Sequence, residues 1–190
     1  RVLPVTRSLL VKVSNKDNPQ TVIGAYQQFS TNLSEIKTAD VRCWVALDRI
    51  RDPGNLGTII RTIDAVAADG VILIDDCTDP FSVESVRASM GAIFTLKVSH
   101  CTSEEFITFK REFKGSVIGT ALQSSVDYRT ADWRAPCIIL MGNEQAGLPT
   151  KLRQACDQII AMPMQGRSDS LNLAVATGIS LYEFLRNQSD

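Results

Sequence analysis

The chain predicts an α/β fold, a mostly parallel sheet with helices on both faces, on three observations. Short apolar segments recur from residue 41 onward, with amphipathic stretches of helical period between them. Two of the segments, Val71-Ile72-Leu73-Ile74 and Ile138-Ile139-Leu140-Met141, are apolar at every position, as strands covered on both faces must be. Hydrophobic residues make up 44% of 190 residues, enough for one core without covalent staples.

In chain order, strands are expected near 43–47, 70–75, 93–98, 116–121, 137–141 and 158–162. Helices are expected near 55–68, 82–90, 103–112, 149–156 and 170–187. Helices between strands imply parallel pairing through right-handed crossovers. Residues 1–40 differ: short apolar pieces (Leu9-Leu10-Val11, Val22-Ile23) alternate with turn formers, and the polar run from Ser30 to Asp40 reads as a linker.

Composition excludes several classes. Lys and Arg number 20 against 21 Asp and Glu, so the chain is no polybasic nucleic-acid binder. The charge is uneven, however: residues 1–61 are net +4, 62–105 net −6 and 106–190 net +1, which leaves a basic face near the front of the chain. Five scattered cysteines without a C-x-x-C pair argue against a disulfide framework or zinc site and for a reducing, cytoplasmic setting. No apolar run approaches the roughly 20 residues of a membrane helix, and no signal peptide opens the chain. No membrane partner is expected.

Several chemistries lack their residues. The single histidine, His100, follows a strand beside Cys101 and offers no triad. No G-x-G-x-x-G follows the first strand, and Gly142-x-x-x-x-Gly147 is followed by Leu148-Pro149 where a phosphate loop needs Lys-Ser/Thr. Asp75, Asp76 and Asp79 cluster after a strand, but solvated loop carboxylates are commoner than hard-cation sites, and no metal is expected.

Three loops at expected strand ends remain. In the first, Pro53-Gly54 turn the chain and Asn55 serves as N-cap of a helix with a buried stripe of Leu56, Ile60, Ile63 and Ala67. Arg61 lies off that stripe, one turn beyond Gly57, where a guanidinium could reach over the glycine toward the Asn55 loop. An arginine on a solvated helix flank would show the same pattern. The second loop, Met141 to Pro149, carries Asn143 and Glu144 directly after Gly142, a residue that lets a ligand approach the backbone; a plain turn with Pro149 at the first helical position fits equally. In the third, Ala161 to Gly178, Ser170 or Asp169 can cap the last helix, whose Ala174, Ala176 and Gly178 permit close packing.

Together the loops resemble the three motifs of the SPOUT RNA methyltransferases, in the TrmH branch that methylates ribose 2′-hydroxyls. The likeness is carried by Asn55-x-Gly57-x-x-x-Arg61, by Gly142-Asn143-Glu144 with Gly147-Leu148, and by Met162-Pro163-Met164 leading into Ser170-Leu171-Asn172 and Ala174-Val175-Ala176. The resemblance implies a C-terminal trefoil knot, a homodimer, and S-adenosylmethionine as methyl donor. It assigns the cofactor to Gly142, Met162 and Leu171, with Thr120, Ala121 and Leu122 as weaker contacts. It makes Arg61 the catalytic arginine, supported by Asn55, Glu144, Ser170 and Asn172.

Residues 1–40 are similar to the end of a ribosomal-protein-like RNA-binding domain, followed by a linker, with the methyltransferase domain at 41–190. That similarity, and a chain that stops soon after the last helix, favour ribosomal RNA, at a guanosine, over transfer RNA as substrate. A catalytically silent RNA-binding factor of the same fold is the alternative from another class.

Overall fold

The computed structural model describes residues 2–30, 32–36, 41–121 and 125–188. Leu122 therefore lies outside the described residues. Among those described, seven strands, β1 (Cys43–Asp48), β2 (Gly70–Ile74), β3 (Lys97–Cys101), β4 (Ser116–Thr120), β5 (Val126–Asp127), β6 (Cys137–Met141) and β7 (Gln158–Ala161), form one sheet in the order β3-β2-β1-β6-β4-β7-β5. Every adjacent pair is parallel. The helices of the same residues are α1 (Arg7–Ser14), α2 (Pro53–Ala65), α3 (Val83–Ala88), α4 (Ser103–Glu112), α5 (Thr150–Ala155) and α6 (Leu173–Arg186).

The two-residue period of the strands sorts side chains into two cores. Val45, Leu47, Val71, Leu73, Ile139 and Met141 join Leu56, Ile60 and Ile63 of α2 and Leu181 and Phe184 of α6 on one face. Trp44, Ala46, Ile72, Ile138 and Leu140 join Phe106 of α4 and Leu152 of α5 on the other. Both faces are thus covered, which is why β2 and β6 are apolar throughout.

Sequence-based bounds hold to within a few residues except at β3. Ile93, expected at the start of that strand, sits in a 3-10 turn (Ala92–Phe94) entered through Gly91 at φ +95°, and the strand begins at Lys97. His100 belongs to this edge strand instead of following it. The two-residue β5 and helix α1 were not expected. In the N-terminal segment, Tyr26 packs on Phe94 with ring centroids 5.2 Å apart and Phe29 meets Phe81 edge-on at 5.4 Å.

The strand order turns at β1, with β2 and β3 to one side and β6, β4, β7 and β5 to the other. Crevices at the carboxyl ends of strands beside such a turn are where parallel sheets bind ligands.

Candidate functional site

The first loop begins at the carboxyl end of β1. Asp48 is buried and is forked by the next residue: Arg49 donates from Nε to Oδ1 at 3.1 Å and from Nη2 to Oδ2 at 2.8 Å. Asp52, not Asn55, caps α2, its carboxylate accepting from the Asn55 N–H at 2.5 Å with Pro53 at the first helical position. Proline fits there because its missing N–H would be unpaired and its φ is already helical. Asn55 is consequently inside the helix, and its side chain is free for another partner.

Gly57 also differs from expectation. A β-carbon there would collide with the Ser85 carbonyl oxygen and stand 2.5 Å from the Ala88 β-carbon, so the glycine admits α3 and offers no path for an arginine. Ala67 is exposed at φ +53°, past the end of α2, and Ile59 joins the buried stripe. Arg61 is exposed, and its side chain makes no hydrogen bond or ion pair with any described residue.

In the second loop, Asn143 does the folding work. Its Oδ1 accepts from the Gln145 and Ala146 N–H groups at 3.0 Å each, and its carbonyl accepts from Gly147 N at 2.9 Å, with Gly147 at φ +64°. Its Nδ2 donates to the Arg49 carbonyl at 2.8 Å, tying the second loop to the first. A β-carbon on Gly142 would collide with Leu148 N and lie 2.5 Å from the Gly147 carbonyl carbon; the space above this glycine is filled by the loop's own backbone, not left open for a ligand. Glu144 is exposed at the rim. Pro149 is the N-cap of α5, one position before the helix.

In the third loop the cap of α6 is Asn172, whose Oδ1 accepts from Ala174 N at 2.9 Å and Val175 N at 3.3 Å. Ser170 and Asp169, the expected caps, lie too early in the chain, and among the described residues their side chains bond only each other, at 3.4 Å. Asn172 also donates from Nδ2 to Asn55 Oδ1 at 2.9 Å, closing the third loop onto the first. Gly178 is not in tight contact: a β-carbon added there would meet Thr62 Cγ2 at an ordinary 3.8 Å.

These ties enclose a cleft of about 740 Å³ above the ends of β4, β6 and β7. Asn55, Thr120, Ala121, Gly142, Glu144, Met162, Ser170, Leu171 and Asn172 all line it. Arg61 does not. The sequence reading missed Met164, Arg153, Leu173 and Ala176 in the lining. The last two could have been found, since Ala176 stands one helical turn beyond Asn172.

Six lining residues (Ala121, Gly142, Ala146, Gly147, Ala161 and Ala176) are glycine or alanine, which bares backbone donors and acceptors. Met141, Leu148, Ile160, Met162 and Leu171 give the cleft apolar walls, and Glu144 and Arg153 are its charged residues. An apolar slot with a few convergent polar groups suits a flat heteroaromatic ligand with a polar tail.

Ionisation points to an inert interior. Burial pushes the Cys77 thiol up to about 11 and those of Cys101, Cys137 and Cys156 up to about 12, and it raises Cys43 as well. None is a nucleophile at neutral pH. Burial tends to raise the Asp75 carboxyl, but hydrogen bonds from Ser103 outweigh it and lower it; this aspartate is engaged in holding the start of α4. No helix among the described residues is long and apolar enough to cross a membrane.

Comparison with known proteins places the chain in a family. The model of the SpoU rRNA methylase family matches residues 42–182. The chain is 32% identical over 170 residues to the 23S rRNA (guanosine(2553)-2'-O)-methyltransferase of Bacillus subtilis, covering 90% of this chain and 66% of that protein. It is 30% identical over 196 residues to a 23S rRNA (guanosine-2'-O-)-methyltransferase of Ralstonia nicotianae, covering 100% and 78%. The AdoMet-bound rRNA methyltransferase from Sinorhizobium meliloti superposes with a TM-score of 0.93 at 47% identity, over 96% of this chain and 70% of that one. The chain spans about two thirds of the length of several of these relatives. With the family match running from β1 into α6 and across all three loops, the chain belongs to the SpoU rRNA methylase family.

Proposed function

We propose that the chain transfers a methyl group from S-adenosylmethionine to a ribose 2′-hydroxyl of RNA, and that the RNA is ribosomal, with guanosine as the acceptor nucleotide. The observation that carries the reading is the cleft itself, in which residues from three separate loops are joined through Asn55–Asn172 and Arg49–Asn143. The ribosomal assignment draws on relatives named as 23S rRNA 2′-O-methyltransferases, and the choice of guanosine on those named for it, beside one named for uridine.

The cleft fits the cofactor. Its volume falls within the roughly 300–1,000 Å³ usual for small-ligand sites, and its bared backbone and apolar walls match a nucleoside carrying a sulfonium side chain. Gly142, Met162 and Leu171, with Thr120 and Ala121, would hold it. When bound, the cofactor supplies an electrophilic methyl group.

The chain's own task is to present the hydroxyl oxygen in line with that methyl, which accounts for much of the rate in such transfers. Asn55, Glu144, Ser170 and Asn172 supply hydrogen-bonding groups at the rim for the ribose. Arg61 is the free cation of α2, and in this reading it orients the acceptor and stabilises negative charge growing on its oxygen. Because Arg61 stands outside the cleft lining, bound RNA must bridge the two. A homodimer packed through the exposed apolar face of α6, where Val175 and Tyr182 have no cover, would wall that surface.

A knotted C-terminus belongs to the same reading. β7 is paired between β4 and β5 although the chain runs directly from one to the other, and Thr120 and Val126 both stand opposite Ile160. Residues 1–40 form the end of an RNA-contacting module plus linker, with Arg7, Lys12 and Lys16 exposed on or just beyond α1.

The test is single-turnover methylation beside a cofactor titration. Arg61→Ala should bind S-adenosylmethionine as the parent does while losing on the order of a hundredfold in rate. Arg61→Lys should recover little of it. A near-parental rate in Arg61→Ala would remove the arginine from the mechanism.

A further inference from the structure

Arg49 is an anomaly of the first loop. It sits at φ +48°, a left-handed conformation uncommon for any residue with a β-carbon, and it does so at the end of the central strand β1. Its guanidinium is turned back onto the carboxylate of Asp48, whose side chain is 0% exposed. Its N–H donates to the Ile74 carbonyl at 3.0 Å. Its own carbonyl accepts from Asn143 Nδ2, 2.8 Å away. The opposite end of that amide holds the N–H groups of Gln145 and Ala146.

We propose that Asp48 and Arg49 are positioning residues: their ion pair keeps Arg49 left-handed, so that its carbonyl anchors Asn143 and sets the second loop as the wall of the cofactor cleft. Local strain of this kind persists only where surrounding contacts over-determine it, and here the contacts are the buried fork and the Asn143 bond. The inference rests on reading the cleft as the S-adenosylmethionine site, but the linkage between the loops can be tested without cofactor.

Two double variants isolate the conformation from the charge. Asp48→Asn with Arg49→Gly removes the pair and keeps the left-handed backbone at no steric cost; Asp48→Asn with Arg49→Val removes the same pair and strains the backbone. Asn143→Ala cuts the tie and also removes the Oδ1 that accepts from the Gln145 and Ala146 N–H groups. In the ligand-free chain, the amides of Gln145 and Ala146 should remain protected from hydrogen exchange in the glycine variant and lose protection in the valine and Asn143→Ala variants.

By calorimetry with S-adenosylmethionine, the glycine variant should bind within about threefold of the parent and the other two about tenfold or more weaker, the size expected from a strained residue or a lost anchor. KM for the cofactor should rise while kcat at saturation changes little, and thermal melts should show all three folded. Equal weakening in the glycine and valine variants, or unchanged exchange in Asn143→Ala, would overturn the proposal. A parent chain that binds no S-adenosylmethionine would instead overturn the functional reading, with the exchange result still deciding the linkage.

Discussion

Asn172 carries two duties that substitution can separate. Its Oδ1 caps α6 on the Ala174 and Val175 N–H groups, and its Nδ2 reaches 2.9 Å to Asn55 Oδ1. Loss of an N-cap side chain costs about 1 kcal/mol. Loss of a partly exposed neutral hydrogen bond costs about another 1 kcal/mol. Asn172→Ala removes both, about 2 kcal/mol in all, and at about 2–4 °C per kcal/mol for a domain of this size the melting temperature should fall by about 4–8 °C.

Asn172→Ser keeps an oxygen at the cap but is too short to reach Asn55, so it should recover roughly half of that loss. Both variants lose the bond that joins the third loop to the first. In calorimetry and single-turnover methylation they should therefore look alike, each several-fold impaired. The reasoning fails if Asn172→Ser matches the parent in binding and rate, or if Asn172→Ala melts within a degree of it.

Three further outcomes follow from the structure. Gly142→Val should abolish cofactor binding, because its side chain would displace the backbone of Gly147 and Leu148; a circular-dichroism spectrum and melt like the parent's with unchanged affinity would show that the loop tolerates it. Native thiols should react slowly with Ellman's reagent at pH 8. Since Cys77, Cys101, Cys137 and Cys156 are raised to about 11–12, the unfolded chain releases their protons from about pH 8.5 while the folded chain retains them. Stability should accordingly fall as pH rises above about 8.5, and urea midpoints that stay flat from pH 8 to 10 would contradict the assignment. Val175→Lys should convert a sedimenting dimer to a monomer and reduce methylation, whereas a parent chain that sediments as a fully active monomer would exclude the dimer.

The layers of the fold were legible because burial on both faces forces apolar runs at β1, β2 and β6 and a 3.6-residue stripe on α2 and α4. β3 was misplaced because an edge strand with Lys97, Ser99 and His100 carries little apolar signal, while Ile93 and Leu96 before it are buried from a turn. β5 is too short to show a period. The helix caps were misread for a local reason: Asp52-Pro53 is itself a cap followed by a first-turn proline, and treating Pro53-Gly54 as a separate turn moved the cap to Asn55.

The site was legible as three loops and no further. Nothing local in the sequence shows that Gly57 is needed by α3, that Gly142 is needed by its own loop, or that Asn143 reaches a carbonyl 94 residues away. Those are contacts between elements distant in sequence. The resemblance named candidate residues, and the backbone packing gives several of them different reasons for being there.

The central claim is methyl transfer to a ribose oxygen, and the product tests it most directly. The chain is incubated with ribosomal RNA and S-adenosylmethionine labelled in the methyl group, and the RNA is then hydrolysed with alkali. A 2′-O-methyl group blocks cleavage at its own phosphodiester, so the label should emerge in an alkali-resistant dinucleotide whose 5′ residue is guanosine. Label emerging in mononucleotides as a methylated base, or no label in RNA from a chain that binds the cofactor, would contradict the account.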